Sequence, residues 1–447
     1  MYRRAFMVTR LHAWALRSPS LPVWLLGVLV VLSLAARLAW IDEPCKSPCR
    51  SSNDHLLVFD EAYYVNAARV IVGIHPPTGA PYANAPLGVD PNSEHPQLVK
   101  LLIAGGIELF GDGPFAWRLP SLVLGTVAIV GMFALALAAG GSRWLALGAA
   151  TLMACDNLLL VHGRIGTLDV PAVAAMIWAA ALYLRRRPLW AGVVLGIGAC
   201  AKEVAPYLLF ALLALELIGW LRTRTDVAKR IVRLGVCTLA TAAAFLVLLQ
   251  VMGWIAAPYS PQTGKLVPNG AIGHLGHILS YAAGQTSPHG PRGIASYPWD
   301  WLVDYQPITY LQINPSHPTA ALNQVEPAVH FLGMISPPIL LLGVPALFWV
   351  AFGLLRRPVR DSRWAPSEVG VVGLAWFLGT YLPYVAASLI ESRTSYLYYM
   401  VIVMPGIYLA TADLVRSIGP RRKLVLAWMG CVFAALVVMY PFSPLPF

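Results

Sequence analysis

The sequence predicts an all-α integral membrane protein of about eleven spanning helices, on three observations. Hydrophobic residues fill 58% of its 447 positions and charged ones only 12%, a balance foreign to soluble domains. Eleven apolar runs succeed one another along the chain, most of them approaching the roughly 20 residues a spanning helix requires. The basic residues sit in short clusters between these runs, the pattern of loops that set membrane topology.

The first run, 21–40, follows Arg3, Arg4, Arg10 and Arg17 and lacks a clear small-residue cleavage site, so it reads as a retained anchor rather than a cleaved signal peptide. The others lie near 119–138, 144–160, 168–184, 189–200, 204–220, 231–254, 331–352, 370–389, 396–412 and 424–440. The basic clusters are Arg185-Arg186-Arg187, Arg222 to Arg233, Arg356 to Arg363 and Arg416 to Lys423. All join the leader on one side if 189–220 is two short helices turning at Ala201-Lys202-Glu203. This predicts a multi-pass cell-membrane protein with the N-terminus cytoplasmic and the C-terminus outside. The net charge of +11 is then a topology signal, and nucleic acid is excluded as a partner.

Two long loops, 41–118 and 255–330, fall outside in this topology. The first is acidic, with Asp42, Glu43, Asp54, Asp60, Glu61, Asp90, Glu94, Glu108 and Asp112. Glu61 to Ile74 reads as a short amphipathic helix ended by Pro76-Pro77, 79–92 as turns, and Gln97 to Phe110 as a second short helix along the interface. No repeat of fixed period or low-complexity linker appears, so residues 1–447 read as one membrane domain. Cys45 and Cys49, four apart in the outer loop with no His–Cys partner set nearby, favour a local disulfide over a zinc site. The other cysteines, Cys155, Cys200, Cys237 and Cys431, lie in or beside apolar spans as ordinary buried thiols.

Several constellations can carry chemistry, each beside a plainer alternative. Asp60-Glu61 is either a solvated helix start favoured by the helix dipole or a general base held against a partly apolar wall. Glu94-His95-Pro96-Gln97-Leu98-Val99-Lys100 puts an acid, an imidazole and an ammonium within two turns, although His95 can simply cap the helix and Lys100 can simply snorkel. Arg118, after Trp117, can grip a lipid-linked phosphate or anchor the interface. Asp156-Asn157, His162, Arg164 and Asp169 gather polar groups at membrane depth. Lys202-Glu203 can serve as a plain hairpin-capping ion pair.

In this order the pieces resemble the protein O-mannosyltransferases and related polyprenyl-phosphate-sugar-dependent transferases of the C-type glycosyltransferase fold. The likeness runs from Arg37 and Pro44 through Asp60-Glu61, the His-Pro block at 95–100, Trp117-Arg118, Asn157 with Arg164 and Asp169, and Lys202. It resumes at Ser296-Tyr297-Pro298-Trp299-Asp300-Trp301 and at Ser392-Arg393 to Tyr399. The family's His-Pro-Pro-x-Gly-Lys block appears as His95-Pro96-Gln97-Leu98-Val99-Lys100, without the second Pro and the Gly. The second outer loop is too short for the extra β-trefoil domain of eukaryotic members.

The resemblance implies an inverting enzyme that moves mannose from a polyprenyl-phosphate donor to Ser/Thr hydroxyls of exported proteins on the outer face of the membrane. Asp60 would be the catalytic base, Glu61 its partner and Arg118 the contact to the donor phosphate. His95, Lys100, Arg164, Asp169, Lys202 and Arg393 would be further substrate-binding residues. A glycolipid, lipid A or cell-wall polysaccharide acceptor is the alternative within the same fold. A secondary transporter is disfavoured, since polar groups cluster at outer helix ends without half-to-half symmetry. The expected partners are the lipid-linked donor, the acceptor protein and membrane lipids. No cofactor is required; a divalent cation bridging Asp60 or Glu61 to phosphate is left open.

Overall fold

The computed structural model describes residues 20–46, 49–313, 322–323, 329–355, 365–418 and 422–443. In chain order its helices are α1 (Leu21–Leu38), α2 (Glu61–Ile71), α3 (Leu98–Phe110), α4 (Pro114–Ala138), α5 (Arg143–Cys155), α6 (Asn157–His162), α7 (Asp169–Leu184), α8 (Pro188–Ala201), α9 (Tyr207–Thr223), α10 (Val227–Ile255), α11 (Gly270–Gly284), α12 (Pro337–Leu355), α13 (Glu368–Glu391), α14 (Met400–Ile418) and α15 (Arg422–Val438). Each of the eleven apolar runs overlaps at least one helix. Six of the described helical stretches are long and apolar enough to cross a membrane, and the chain is a multi-span membrane protein. The basic leader, the cluster at 356–363 and Arg421 lie outside the described residues.

Sequence accounts for the helix boundaries. Proline opens α1, α4 and α8, where its missing N–H has no helical partner to lose. The Ser142 hydroxyl caps α5 by accepting from Leu145 N at 3.2 Å, as an N-cap should. Helix α2 stops at Ile71, three residues short of the expectation, because Gly73 adopts φ +80° and lets Ile74 N reach back to Arg69 O at 2.8 Å. The run at 144–160 is two helices rather than one. Asp156 is extended between them, and its buried carboxylate accepts from Ser336 N at 2.8 Å and from the Tyr408 hydroxyl. The run beginning near 331 starts as a strand before α12.

In the bundle, α8 packs between α7 and α10, α4 lies on α5 and α7, and α13 is held by α9 and α14. Helix α14 is almost wholly interior, whereas α1 and α10 expose apolar side chains such as Trp24, Leu32, Leu239 and Trp254, as lipid-facing helices do. Helices α13 and α14 touch through glycine. A Cβ on Gly373 would stand 2.7 Å from Gly406 O, and one on Gly406 would stand 2.6 Å from Gly373 O. Such close approach is how membrane helices gain packing without a hydrophobic driving force.

The two long loops are ordered by strands and short helices. β1 (Cys45–Lys46) pairs with β6 (Leu322–Asn323), and β5 (Ile308–Ile313) pairs with β7 (Val329–Gly333). β2 (Val89–Asp90) runs parallel to β3 (Ala257–Ser260), which is antiparallel to β4 (Lys265–Leu266), so the two loops share one small sheet. Helix α11, which periodicity did not single out, is tied to the first loop by His274 Nε2 on Ser93 O at 3.0 Å. Cys45 and Cys49 form a disulfide. Alkylation of the intact protein should therefore leave both unlabelled until a reductant is added, a result read by peptide mass spectrometry; labelling of either beforehand would contradict the bond.

Candidate active site

A cavity of about 290 Å³ opens where the 59–64, 82–95, 202–204, 281–294 and 384–399 stretches converge. Tyr64, Tyr82, Tyr281, Tyr396 and Tyr398 give it aromatic walls, Asp60, Glu94 and Glu203 its acids, and His95, Lys202 and Arg393 its bases.

The two acids of the pair part company at the first turn of α2. Phe59 has φ +56°, a conformation that a bulky residue adopts only when its surroundings impose it. Its ring is fixed by stacking on Tyr310, centroids 4.1 Å apart, and by an edge contact with Tyr398. After this bend Asp60 faces the cavity and Glu61 turns into the protein, fully buried. Glu61 Oε1 accepts from Arg118 Nε at 2.9 Å and Gly166 N at 2.8 Å. Its Oε2 accepts from Arg118 Nη2 at 3.0 Å and Val58 N at 2.8 Å. The third guanidinium nitrogen of Arg118 donates to Ile41 O at 2.5 Å and Glu43 O at 2.8 Å.

Arg118 therefore does not line the cavity, contrary to its expected contact with a phosphate. Its fork is engaged by a carboxylate and two carbonyls, and its place is structural. Two other cations share this fate. Lys100 is buried and donates to Asp90 Oδ2 at 2.6 Å, His95 O at 2.9 Å and Asn92 O, so it shapes the 90–95 loop from behind. Arg164 donates to Tyr440 Oη at 3.1 Å and Ala39 O at 2.9 Å and lies over the Phe442 ring, joining the end of α1 to the segment after α15. Asp169 sits one layer back from the cavity, 2.6 Å from Lys202 Nζ, which also lies over the Tyr398 and Tyr399 rings. Lys202 and Glu203 are thus not paired with each other.

His95 Nδ1 lies 3.0 Å from Glu203 Oε2, linking the first long loop to the α8–α9 turn. Burial would raise the Glu203 carboxyl, but the His95 imidazole and the Lys202 ammonium hold it well below its usual range. Arg393, after the left-handed Ser392 that ends α13, donates to Ala282 O and borders the cavity. Its loop is buttressed by the motif at 296–301. Ser296 N donates to Ser395 O at 2.9 Å, and buried Trp301 meets Tyr384 and Tyr399 edge-on.

Asp60 lies in the first long loop, at the start of α2. Burial pushes its carboxyl up to about 6, Lys202 and His95 pull it down, and Asp169 adds to the rise. That value suits a base near neutral pH. The residues do not fit a cation shared by the pair, because each Glu61 oxygen already accepts two hydrogen bonds. Among the described residues, only Cys45, Cys49 and His55 bring three ligand atoms close together, and the first two are in disulfide linkage. No spacing in the chain marks Tyr82, Asn92 and the tyrosines around 396–399 as a common wall, since their convergence is made by the fold.

The chain is similar to several known proteins. The family model described as dolichyl-phosphate-mannose-protein mannosyltransferase matches residues 94–254. A polyprenol-phosphate-mannose–protein mannosyltransferase of Corynebacterium glutamicum is 27% identical over 454 residues, spanning 87% of this chain and 84% of its own. Its counterpart from Mycobacterium tuberculosis is 26% identical over 453 residues, spanning 85% and 81%. In fold, the chain is similar to the Saccharomyces cerevisiae protein O-mannosyltransferase Pmt1-Pmt2 complex bound to the sugar donor, with TM-score 0.69 at 13% identity over 95% of this chain and 90% of that one. It is also similar to the Archaeoglobus fulgidus oligosaccharyltransferase, with TM-score 0.58 at 14% identity over 96% and 57%. The fold is the one shared by these two solved structures. Over most of its length the chain is thus similar to polyprenol-phosphate-mannose–protein mannosyltransferases.

The Glu61–Arg118 pair should be costly to break. Arg118→Ala leaves a buried carboxylate without its cation and should lower stability by roughly 3–5 kcal/mol, seen as a fall in the unfolding midpoint of the detergent-solubilised protein. Arg118→Lys should recover only part, because an ammonium cannot reproduce the fork. Full stability of Arg118→Ala would remove the pair from its structural place.

Proposed function

We propose that this protein transfers mannose from a polyprenyl-phosphate donor to Ser or Thr hydroxyls of exported proteins, at the outer face of the cell membrane. The observation that carries the reading is the cavity itself, in which a raised carboxyl, Asp60, faces Lys202 and Arg393 within one aromatic enclosure. The mannosyltransferase relatives supply the sugar and the lipid carrier. The basic clusters at 185–187 and 222–233, one helix length from the 202–206 turn on either side, support an outward-facing cavity with a cytoplasmic N-terminus.

The donor phosphate takes the cationic side, beside Arg393 and Lys202, with its tail in lipid. The acceptor hydroxyl approaches Asp60. Its oxygen attacks the anomeric carbon from the face opposite the phosphate as Asp60 removes the hydroxyl proton. The bond between that carbon and the phosphate oxygen breaks, and its electron pair leaves on the lipid phosphate. One displacement inverts the anomeric centre. Lys202 and Arg393 offset the charge growing on the leaving group. His95 is placed to hydrogen-bond the same phosphate, while Asp169 positions Lys202 and the Glu61–Arg118 pair positions Asp60.

The test is transfer of label from polyprenyl-phosphate mannose to a Ser/Thr-rich peptide by the purified protein. Asp60→Asn should lower kcat by about 10²–10⁴, with the fold intact by its unfolding midpoint. Peptide labelling that survives the substitution would exclude Asp60 as the base.

Since the Asp60 carboxyl is raised to about 6, the base form is lost as pH falls through that value. With Lys202, Asp169, His95 and Tyr64 around it, kcat/KM should rise up to about pH 6 and level off above. The residual rate of Asp60→Asn should lack that limb.

Arg393→Ala should lower kcat by about 10²–10³, the effect of removing one such charge-stabilising donor. An unchanged kcat would move the phosphate elsewhere.

A further inference from the structure

The cavity holds a second polar group that this reaction leaves without a task. Asn92, only 5% exposed, donates one amide hydrogen to the Tyr82 hydroxyl oxygen at 2.9 Å and the other to Glu94 Oε2 at 3.2 Å. Gln262, in the β3–β4 turn of the second outer loop, donates to Glu94 Oε1 at 3.1 Å and is itself held by the Ser260 hydroxyl at 3.1 Å. The Asn92 backbone is fixed from behind by Asp90 and Lys100. Tyr82, Asn92 and Glu94 all line the cavity.

The hydrogen-bonding capacity left over is specific. With both its amide hydrogens engaged, Asn92 is left with a buried Oδ1 that has no partner. Tyr82 accepts from Asn92, so its own hydrogen remains to donate, and each Glu94 oxygen retains a free lone pair. A buried acceptor without a partner is unfavourable and calls for a donor from a ligand. One donor beside several acceptors, with the nearest ammonium, Lys100, engaged behind the loop, is a poor seat for a phosphate, which offers only acceptors and negative charge. It suits a neutral polyol, in which each hydroxyl both gives and takes a hydrogen bond.

We infer that Tyr82, Asn92 and Glu94 form the subsite for the hydroxyl groups of the donor sugar and decide which hexose is accepted. The inference rests on the donor reading given above. Donor polarity follows from it: the sugar hydroxyls face the 82–94 stretch, the phosphate faces Lys202 and Arg393, and the anomeric carbon lies between them beside Asp60. Gln262 is a positioning residue, since it reaches the cavity only through Glu94.

The experiment compares binding of polyprenyl-phosphate mannose, polyprenyl-phosphate glucose and bare polyprenyl phosphate to the full-length protein in nanodiscs. Wild type should prefer the mannosyl lipid. Glu94→Gln and Tyr82→Phe should reduce that preference at least about tenfold and bring the glucosyl lipid closer, while affinity for the bare lipid stays within about twofold, because a site built to hydrogen-bond hydroxyls discriminates only where hydroxyls are present. Gln262→Leu, which touches no ligand, should produce a weaker version of the same change. Equal weakening toward all three lipids would overturn the inference and make the network merely structural, as would an unchanged preference. If wild type itself fails to distinguish the mannosyl from the bare lipid, the donor reading falls, and the inference falls with it.

Discussion

A buried carboxylate gripped by a guanidinium fork is the constraint from which the site is built. Glu61 is wholly enclosed, and an ionised acid in that position is tolerated only when its lone pairs are satisfied. Arg118, Val58 N and Gly166 N satisfy them. These partners belong to different parts of the chain: α4, the approach to α2, and the turn before α7. Arg118 adds the 41–43 segment through two carbonyls. One ion pair thus gathers four stretches around the residue that precedes Glu61, and Asp60 has little freedom left except to face the cavity.

The same device recurs with other cations. Lys100 closes the 90–95 loop on itself and Arg164 draws the end of α1 to the segment after α15. In each case the charge is neutralised by groups that the chain itself provides, so it organises backbone rather than ligand. Lys202 and Arg393 differ in bordering the open volume. The protein therefore separates its basic residues into those that hold loops and those that border the cavity, and position rather than burial distinguishes the two sets, since Lys202 is itself buried.

Much of the helical frame was legible because an apolar run of spanning length satisfies its backbone in lipid by coiling into a helix. The acid pair was legible as a place of interest for a related reason, since ionised groups at a membrane edge need a purpose. The division of labour was not. Nothing local to Arg118 reveals that Ile41 O and Glu43 O, more than seventy residues away, take its third nitrogen, and nothing local to Lys100 marks it as interior. The break at Asp156 escaped notice because its partners, Ser336 and Tyr408, are supplied by distant elements. Asn92 lay in a stretch that reads only as turns, and its importance depends on an orphaned oxygen that no spacing can display.

The left-handed Phe59 bears on how such a chain can change. Neighbouring positions on a helix point about 100° apart, and here that angle separates a solvent-lined volume from a dry interior. Adding or deleting a single residue between Val58 and Glu61 would rotate the first turn and exchange the two environments, turning the paired acid outward and the cavity-facing one inward. The length of this bend is therefore as tightly constrained as the chemistry of either carboxylate, since one inserted or deleted residue would displace both at once.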